Sequence, residues 1–206
     1  MSSPFFWKLL HKRYVASPVA DEAIYQRKLR ETQARLQPSW DILEIGCGSG
    51  NTALNHAPFV NSVTACDFCD PMMDHGRARA ASEGITNVTF KEARLEDIAM
   101  DRDYDAVLML SLIHLIPDWK NAIAKAAALT KQGGIFVSST ATLGNAAGPM
   151  KWIAPIFRFL PIVPTLAVFS RSDLLEEIIA NGFTLEESWT NGDNDEISFV
   201  IARKTG

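Results

Sequence analysis

The sequence predicts an α/β fold in which a mostly parallel sheet is covered by helices on both faces. Short apolar runs typical of strands alternate with longer helical segments along most of the chain, and this alternation requires crossover connections between parallel strands. The run at residues 104–110 is apolar at almost every position, as is typical of a strand at the centre of a parallel sheet. The last two predicted strands are joined too closely for a helical crossover, so we expect one of them to run antiparallel.

Seven segments are predicted strands because each is a short run of apolar or β-branched residues next to charged or turn-forming ones. They cover residues 41–45, 62–66, 88–91, 104–110, 135–140, 183–189 and 197–203.

Five helices are predicted between the strands, at residues 20–36, 52–56, 70–83, 119–130 and 172–181. Asp70 followed by Pro71 is a typical helix start, with Asp as the cap, and Gly84 ends that helix. Ser172 is the predicted cap of the last helix, which Gly182 ends.

Length and composition indicate one globular domain. The 206 residues are 47% hydrophobic and 21% charged, with a net charge of −4, values that are ordinary for soluble proteins. An acidic chain lacks the basic surface expected of a nucleic-acid-binding protein. Three cysteines without a recognisable framework are typical of a reducing compartment, so we predict a cytoplasmic location.

A glycine-rich turn follows the first strand and predicts a nucleoside site. Gly46, Gly48 and Gly50 stand at alternate positions, and the second strand ends in Asp67. The glycines permit a tight turn and close approach of a ligand to the main chain, and the acid can accept hydrogen bonds from both ribose hydroxyls. A dinucleotide motif needs its third glycine where Asn51 stands, and a P-loop needs a Lys after the glycines, so both are excluded.

Glu44 precedes these glycines in an E-x-G-x-G-x-G pattern. A carboxylate here suits a ligand that bears a positive charge better than a pyrophosphate. With Asp67 after the second strand, the pattern resembles the class I S-adenosylmethionine-dependent methyltransferases. The resemblance covers residues 40–140 strongly and the C-terminal strands as well. It implies a Rossmann-like, doubly wound, seven-stranded sheet with one antiparallel strand.

The resemblance also implies S-adenosylmethionine as cofactor, S-adenosylhomocysteine as product, and no metal. Glu44, Gly46, Gly48 and Gly50 would surround the cofactor, and Asp67 would bind its ribose.

Three further positions follow from the family's adenine site. Residues 67–73 are similar to the family's D-x-S-x-x-M-x turn, with Cys69 at the Ser position, so Phe68 and Met72 would flank the adenine. Arg94 stands where the family usually has an Asp that contacts the adenine amino group. Arg94 could instead stack on the purine, with Leu95 contributing its backbone, or it could be a surface arginine.

Ser111 and His114 follow the central strand, where the family places its acceptor-facing loop. His114 is a candidate general base, or else a histidine that packs near the cofactor. The loop lacks the Asn/Asp-Pro-Pro-Tyr sequence of amide and exocyclic-base methylases, which argues against those substrates.

The N-terminal part offers Tyr14 and Tyr25. Similar proteins lay a tyrosine from this region over the methionine end of the cofactor, and the alternative is that these tyrosines brace the helix on the core. Arg27, Lys28 and Arg30 are predicted to form a solvated helix face rather than a carboxylate clamp. Cys66 and Cys69 have C-x-x-C spacing without a second pair, so we predict structural roles for both.

We treat residues 1–206 as a single methyltransferase domain with four parts. They are an N-terminal helical cap at 1–38, a cofactor-binding core at 39–140, an apolar lid insertion at 141–171, and a C-terminal helix and strand pair at 172–206. Prolines and one arginine interrupt residues 152–169, which excludes a continuous membrane-spanning helix. This segment could be a lid over an apolar acceptor, an interface with a membrane or dimer partner, or core packing.

The sequence therefore predicts a cytoplasmic S-adenosylmethionine-dependent methyltransferase that acts on a small, apolar molecule as a monomer or homodimer. The resemblance extends to the broad group that contains quinone-biosynthesis methylases, which leaves the acceptor and its atom type open. A lipid or quinone methylase on the membrane surface and a non-catalytic cofactor-binding scaffold are the alternatives.

Overall fold

The computed structural model describes residues 21–142, 166–191 and 197–206. These residues form seven strands: β1 (Asp41–Ile45), β2 (Ser62–Asp67), β3 (Val88–Glu92), β4 (Tyr104–Leu110), β5 (Thr130–Ala141), β6 (Phe183–Thr190) and β7 (Ile197–Lys204). They also form five α-helices: α1 (Glu22–Gln33), α2 (Asn51–His56), α3 (Asp70–Glu83), α4 (Trp119–Leu129) and α5 (Arg171–Ala180).

All seven strands belong to one sheet, in the order β3-β2-β1-β4-β5-β7-β6. The pairs β1–β2, β1–β4, β2–β3 and β4–β5 are parallel. Strand β7 runs antiparallel to both of its neighbours, β5 and β6. The predicted fold, including the single antiparallel strand, is confirmed. The order of the sheet reverses at β1 and β4, where open α/β sheets bind their ligands.

Alternate side chains of the central strands enter two separate hydrophobic layers, as the period of two in a strand requires. On one face, Leu43, Val107 and Phe136 pack with residues of α4 and α5. On the other face, Ile42 and Leu108 pack with residues of α2 and α3. The sheet is therefore buried on both sides, which holds the carboxyl ends of its strands in fixed positions.

Two predicted helix caps are wrong. The cap of α5 is Ser170, not Ser172: its hydroxyl accepts from the Asp173 N–H at 3.1 Å, and the Asp173 carboxylate accepts from the Ser170 N–H at 2.8 Å. This reciprocal pair is a capping box, and Ser170 can form it because the acid stands three residues later. At α3 the cap position is Cys69, and Asp70 lies in the first turn beside Pro71.

Helix α1 lies across the sheet and is attached at both of its sides. The Gln33 side chain donates to the Asn55 carbonyl oxygen at 3.0 Å, which ties α1 to α2. The Trp189 indole donates to Glu31 Oε2 at 2.6 Å, which ties α1 to β6. Arg35 Nε lies 2.9 Å from Glu186 Oε2 on the same strand. Helix α1 is therefore held by contacts to elements 22 to 158 residues away.

Most of the predicted lid lies outside the described residues, as do Tyr14 and the rest of residues 1–20. The described end of the insertion packs against the core. Phe169 is buried and stacks on Trp119 with ring centroids 4.4 Å apart, and the Ala167 N–H donates to the His114 carbonyl oxygen at 2.8 Å. Within the described ranges, every helix is too short or too polar to cross a membrane.

Gly50 begins α2 with φ +76° and has no room for a side chain. A Cβ there would lie 2.4 Å from Cε1 of Phe90. A Cβ on Gly76 would lie 2.7 Å from Cζ of the same ring, so Phe90 is held between two glycines. The third glycine of the motif is therefore required by the backbone angle and by packing.

Gly50→Ala is expected to destabilise the fold by about 2–4 kcal/mol, because it adds overpacking to the cost of a positive φ. Gly84→Ala is the matched control: Gly84 has φ +67° and open space around it, so we expect a loss of only about 1 kcal/mol. Urea unfolding of both variants measures the difference. Equal losses would contradict the packing role.

Candidate cofactor and acceptor site

The glycine turn between β1 and α2 is attached to the end of β2. The Gly46 and Cys47 N–H groups both donate to the Cys66 carbonyl oxygen, at 2.8 and 2.9 Å. Gly46 and Gly48 have φ values of +71° and +55°, a region that L side chains rarely occupy. The turn therefore lies against the end of β2 in a backbone conformation that favours glycine.

Asp67 fixes the geometry of this edge. Its Oδ2 accepts from the Gly48 N–H and its Oδ1 from the Cys69 N–H, each at 2.9 Å. Burial raises the pKa of Asp67, and these backbone donors oppose that rise. A carboxylate has about four acceptor positions. Asp67 can therefore hold the turn and still accept from a ligand in the cavity that it lines.

The first cavity lies over the ends of β1 and β2 and has a volume of about 140 Å³. It brings together eight of the predicted cofactor residues: Gly46, Gly48, Asp67, Phe68, Met72, Arg94, Leu95 and Ser111. The cavity combines a carboxylate, an apolar wall and glycine backbone, which suits the ribose and base of a nucleoside. Gly50 does not line it, consistent with its contact with Phe90.

The second cavity is larger, about 470 Å³, and is bounded by α1 on one side and the glycine turn on the other. Its polar lining includes Tyr25, Lys28, Glu44, His56 and Ser139. The two cavities share four lining residues: Gly46, Gly48, Leu110 and Ser111. They are therefore neighbouring parts of one site along the sheet edge.

Ser111 stands where the two cavities meet. Its φ of +54° is the only positive value at a non-glycine residue in the part of the chain that the structure describes. The Ser111 N–H donates to the Ser139 carbonyl oxygen at 2.6 Å, which links the ends of β4 and β5. A strained residue held by such a bond is frequent at functional sites.

Glu44 is a buried acid whose charge lacks compensation. Its side chain is in the second cavity's lining and is only 3% exposed. Its Oε2 has no hydrogen-bond partner among the described residues. Burial first, and the negative charge of Asp67 second, raise the pKa of Glu44 to about 8. A bound cation would restore its ordinary ionisation, so Glu44 fits the positively charged end of the predicted cofactor.

Tyr25 braces α1 on α2 and also lines the second cavity. Its hydroxyl lies 3.3 Å from Thr52 Oγ1 and accepts from Asn55 Nδ2 at 3.0 Å. Both sequence interpretations of Tyr25 are thus compatible with its position, since a bracing residue at a cavity wall can also contact a ligand.

The sequence predicts that Lys28 lies on a solvated helix face, and this prediction is wrong. It lines the second cavity and donates from Nζ to Ser139 Oγ at 2.7 Å, and burial lowers the pKa of Lys28. Arg30 is exposed, and Arg27 pairs with Glu31 at 2.7 Å. Because α1 crosses the open end of the cavity, only one of the three basic residues faces inward.

His114 is held by the end of β5. Thr140 Oγ1 accepts from the His114 N–H at 3.1 Å and lies 3.1 Å from His114 Nδ1. The Ala141 N–H donates to the same Nδ1 at 3.4 Å. These contacts engage Nδ1, which leaves Nε2 as the ring nitrogen able to accept a proton, and burial lowers the pKa of His114. Neither cavity is lined by His114 in the described part of the chain.

Lys28, Ser139 and His56 are site residues that sequence reasoning missed. His56 is 1% exposed with Nδ1 unpartnered among the described residues, and burial lowers its pKa to about 4. Ser139 belongs to a run of three polar residues, 138–140, at the carboxyl end of a predicted strand. This run could have indicated that Ser139 lies at the site. The inward position of Lys28 could not be predicted because it depends on how α1 packs against distant parts of the chain.

All three cysteines are buried, and none of them forms a disulfide. Burial raises the pKa of Cys66 to about 11 and raises the pKa of Cys47. Buried thiols with raised pKa values are poor nucleophiles, which agrees with the structural roles predicted for Cys66 and Cys69.

The sheet order, the glycine turn and the carboxylate after β2 are features of the fold of the class I S-adenosylmethionine-dependent methyltransferases. Residues 42–134 match the family model of a methyltransferase domain. The resemblance seen in the sequence is thereby confirmed. S-adenosylmethionine, which supplies a sulfonium-bound methyl group when bound, is the cofactor of this class.

Among similar proteins is the ubiquinone biosynthesis O-methyltransferase of Xanthomonas axonopodis pv. citri. It is 29% identical over 139 residues, which are 65% of this chain and 58% of the relative. The chain thus spans less than two thirds of that relative's length.

Two solved structures share the fold. The magnesium protoporphyrin IX methyltransferase of Synechocystis PCC 6803, with bound S-adenosylhomocysteine, has a TM-score of 0.73 and 15% identity, and the match covers 98% of each chain. The [4+2]-cyclase SpnF has a TM-score of 0.77 and 15% identity over 98% of this chain and 94% of that one.

Glu44→Gln is expected to stabilise the ligand-free protein while weakening its affinity for S-adenosylmethionine. Folding holds the pKa of Glu44 at about 8, whereas the unfolded chain ionises it near pH 4.5. The unfolded state therefore gains stability as pH rises through this window, a cost that Gln avoids. The stability advantage of Gln, followed by melting curves at a series of pH values, should grow between about pH 5 and 8 to about 4 kcal/mol.

Glu176→Gln, at an exposed position on α5, is the control and should show no pH-dependent gain. A melting-temperature difference for Glu44→Gln that is constant with pH would show that its charge is not the cause. Unchanged affinity for S-adenosylmethionine would show that Glu44 does not contact the cofactor.

Proposed function

We propose that this protein transfers a methyl group from S-adenosylmethionine to a small molecule, yielding the methylated acceptor and S-adenosylhomocysteine. The observation that carries the proposal is the pair of cavities that meet at Ser111. The first cavity would hold the nucleoside of the donor, and the larger cavity has room for the donor's cationic end beside Glu44 and for the acceptor, with the reacting atoms at the junction of the two cavities.

The roles proposed for the cofactor residues follow their positions. Asp67 accepts from the ribose hydroxyls through the acceptor positions that Gly48 and Cys69 leave free. Phe68 and Met72 form the apolar wall beside the adenine.

Three more residues complete the proposed cofactor contacts. Arg94 and Leu95 lie at the outer edge of the base, where the partly exposed guanidinium can stack on a purine. Glu44 neutralises the cationic end of the cofactor.

Rate enhancement in this proposal comes from positioning. Methyl transfer from a sulfonium is an in-line displacement with a good leaving group, and alignment of two bound reactants is worth several powers of ten. The fixed ends of β1, β4 and β5 supply that alignment.

Two alternatives have specific support. The ubiquinone-biosynthesis relative favours a quinone or lipid acceptor at a membrane surface, and pelleting with anionic vesicles would detect such binding. The cyclase SpnF is named for another reaction on the same fold, which is a reason to test turnover separately from binding. A cytoplasmic location belongs to the main proposal and is supported by the absence of disulfides among the three cysteines.

Calorimetric titration tests the cofactor assignment. Wild type is expected to bind S-adenosylmethionine and S-adenosylhomocysteine, but not NAD. Asp67→Ala should lose about 100-fold in affinity for both, because two ribose hydroxyls lose a charged acceptor.

The control is Asp74→Ala, which removes an exposed acid of α3, and it should bind as wild type does. Circular dichroism melting checks that Asp67→Ala is folded, since the substitution also removes two bonds of the turn. Unchanged affinity in a folded Asp67→Ala protein would remove the ribose assignment.

His114→Gln is expected to keep turnover within about threefold of wild type, because neither cavity is lined by His114 in the described residues and positioning can supply the rate enhancement without a base. The measurement is the pH–rate profile of the methylated product. A loss of about 100-fold together with loss of a basic limb would instead establish His114 as the general base.

A further inference from the structure

Lys28 is a half-buried cation with little compensation. Its Nζ makes one hydrogen bond, to Ser139 Oγ at 2.7 Å, and no ion pair with any described residue. An ammonium has three N–H donors, so two are without a protein partner in the described part of the chain. Partial burial of a charge with one neutral partner is unfavourable, which suggests a site built for an anion.

The other ionisable groups of the same cavity do not provide that anion. Burial raises the pKa of Glu44 to about 8, the proposed function pairs this carboxyl with the cationic end of the cofactor, and Glu44 forms no ion pair with Lys28 among the described residues. His56 is neutral and Tyr25 is protonated, because burial lowers the pKa of the first and raises that of the second. Asp21 lies exposed at the rim, where its charge partly opposes the lowering of the Lys28 pKa, but it forms no ion pair with Lys28 among the described residues.

The position of Lys28 along the sheet edge separates it from the cofactor. Asp67 ends β2, the glycine turn follows β1, Ser111 follows β4, and Ser139 lies near the end of β5. Adjacent strands are about 4.8 Å apart. The Lys28–Ser139 pair is therefore one strand beyond Ser111, on the side away from Asp67, where the proposed function places the acceptor.

We propose that Lys28, with Ser139, binds an ionised oxygen of the methyl acceptor, so that the acceptor is an acidic small molecule such as a phenol, an enol or a carboxylic acid. This inference rests on the proposed function and narrows its acceptor class from apolar molecules to weak acids. Lys28 is a specificity residue in this proposal. The rest of the cavity, with Ile24, Leu29 and Phe199 in its lining, accommodates the carbon skeleton.

The probe is 4-nitrophenol, whose visible absorbance distinguishes the phenolate from the phenol. Protein saturated with S-adenosylhomocysteine is titrated with it slightly below its solution pKa. Wild type should bind the probe as the phenolate, and Lys28→Met should weaken that binding about tenfold or more. Lys28→Arg keeps the charge and should bind within a few-fold of wild type.

The control is Arg30→Met, which removes an exposed cation from the same helix and should leave phenolate binding unchanged. Melting curves and affinity for S-adenosylhomocysteine show whether each variant is folded. If Lys28→Met does not fold, Lys28→Gln in the same titration replaces it, because Gln keeps a donor for Ser139 without the charge.

A second comparison tests whether the anion is instead the cofactor's own carboxylate. 5′-Methylthioadenosine lacks the amino-acid part of S-adenosylhomocysteine. If Lys28 binds the acceptor, Lys28→Met should leave the affinities for both nucleosides unchanged. A selective loss for S-adenosylhomocysteine would assign Lys28 to the cofactor and overturn the inference.

The two proposals fail in different ways. Wild type that does not bind S-adenosylhomocysteine overturns the proposed function, and the inference with it. Wild type that binds S-adenosylhomocysteine but not the phenolate, or equal phenolate binding by wild type and Lys28→Met, overturns the inference alone.

Discussion

The hydrogen bonds that Asp67 accepts from Gly48 and Cys69 are the constraint on which the site depends. They join the turn after β1 to the turn after β2, two segments that the parallel pairing of β1 with β2 already brings together. These hydrogen bonds offset the cost of burying the carboxylate, which can still accept further hydrogen bonds from a ligand. Because the same group organises the protein and faces the ligand cavity, the site is largely formed before any ligand arrives.

Two opposite charges then divide the larger cavity. Glu44 lies at the glycine turn and Lys28 at the end of β5, and each lacks a full set of protein partners among the described residues. Such groups cost stability in the empty protein and regain it when ligands of the opposite charge bind. The cavity is therefore electrostatically polarised, with a cation preferred at one end and an anion at the other.

The sheet and the nucleoside edge could be predicted from the sequence because they depend on local signals. Apolar runs, turn glycines and an acid at a strand end specify β1, β2 and the turn between them without reference to distant residues. The cap of α5 was misplaced by two residues because Ser170 and Ser172 are locally similar, and only the reciprocal bond with Asp173 separates them. The inward orientation of Lys28 depends on how α1 crosses the sheet, which no local pattern encodes.

The attachment of α1 to β6 through Glu31 and Trp189 joins the wall of the second cavity to the C-terminal hairpin of β6 and β7. That hairpin lies at the opposite edge of the sheet from the β2–β3 edge. Substitutions in β6 can thus tilt the helix that carries Tyr25 and Lys28 without touching the nucleoside cavity. The shape of the second cavity can in this way change during evolution through residues outside its lining, while the first cavity stays the same.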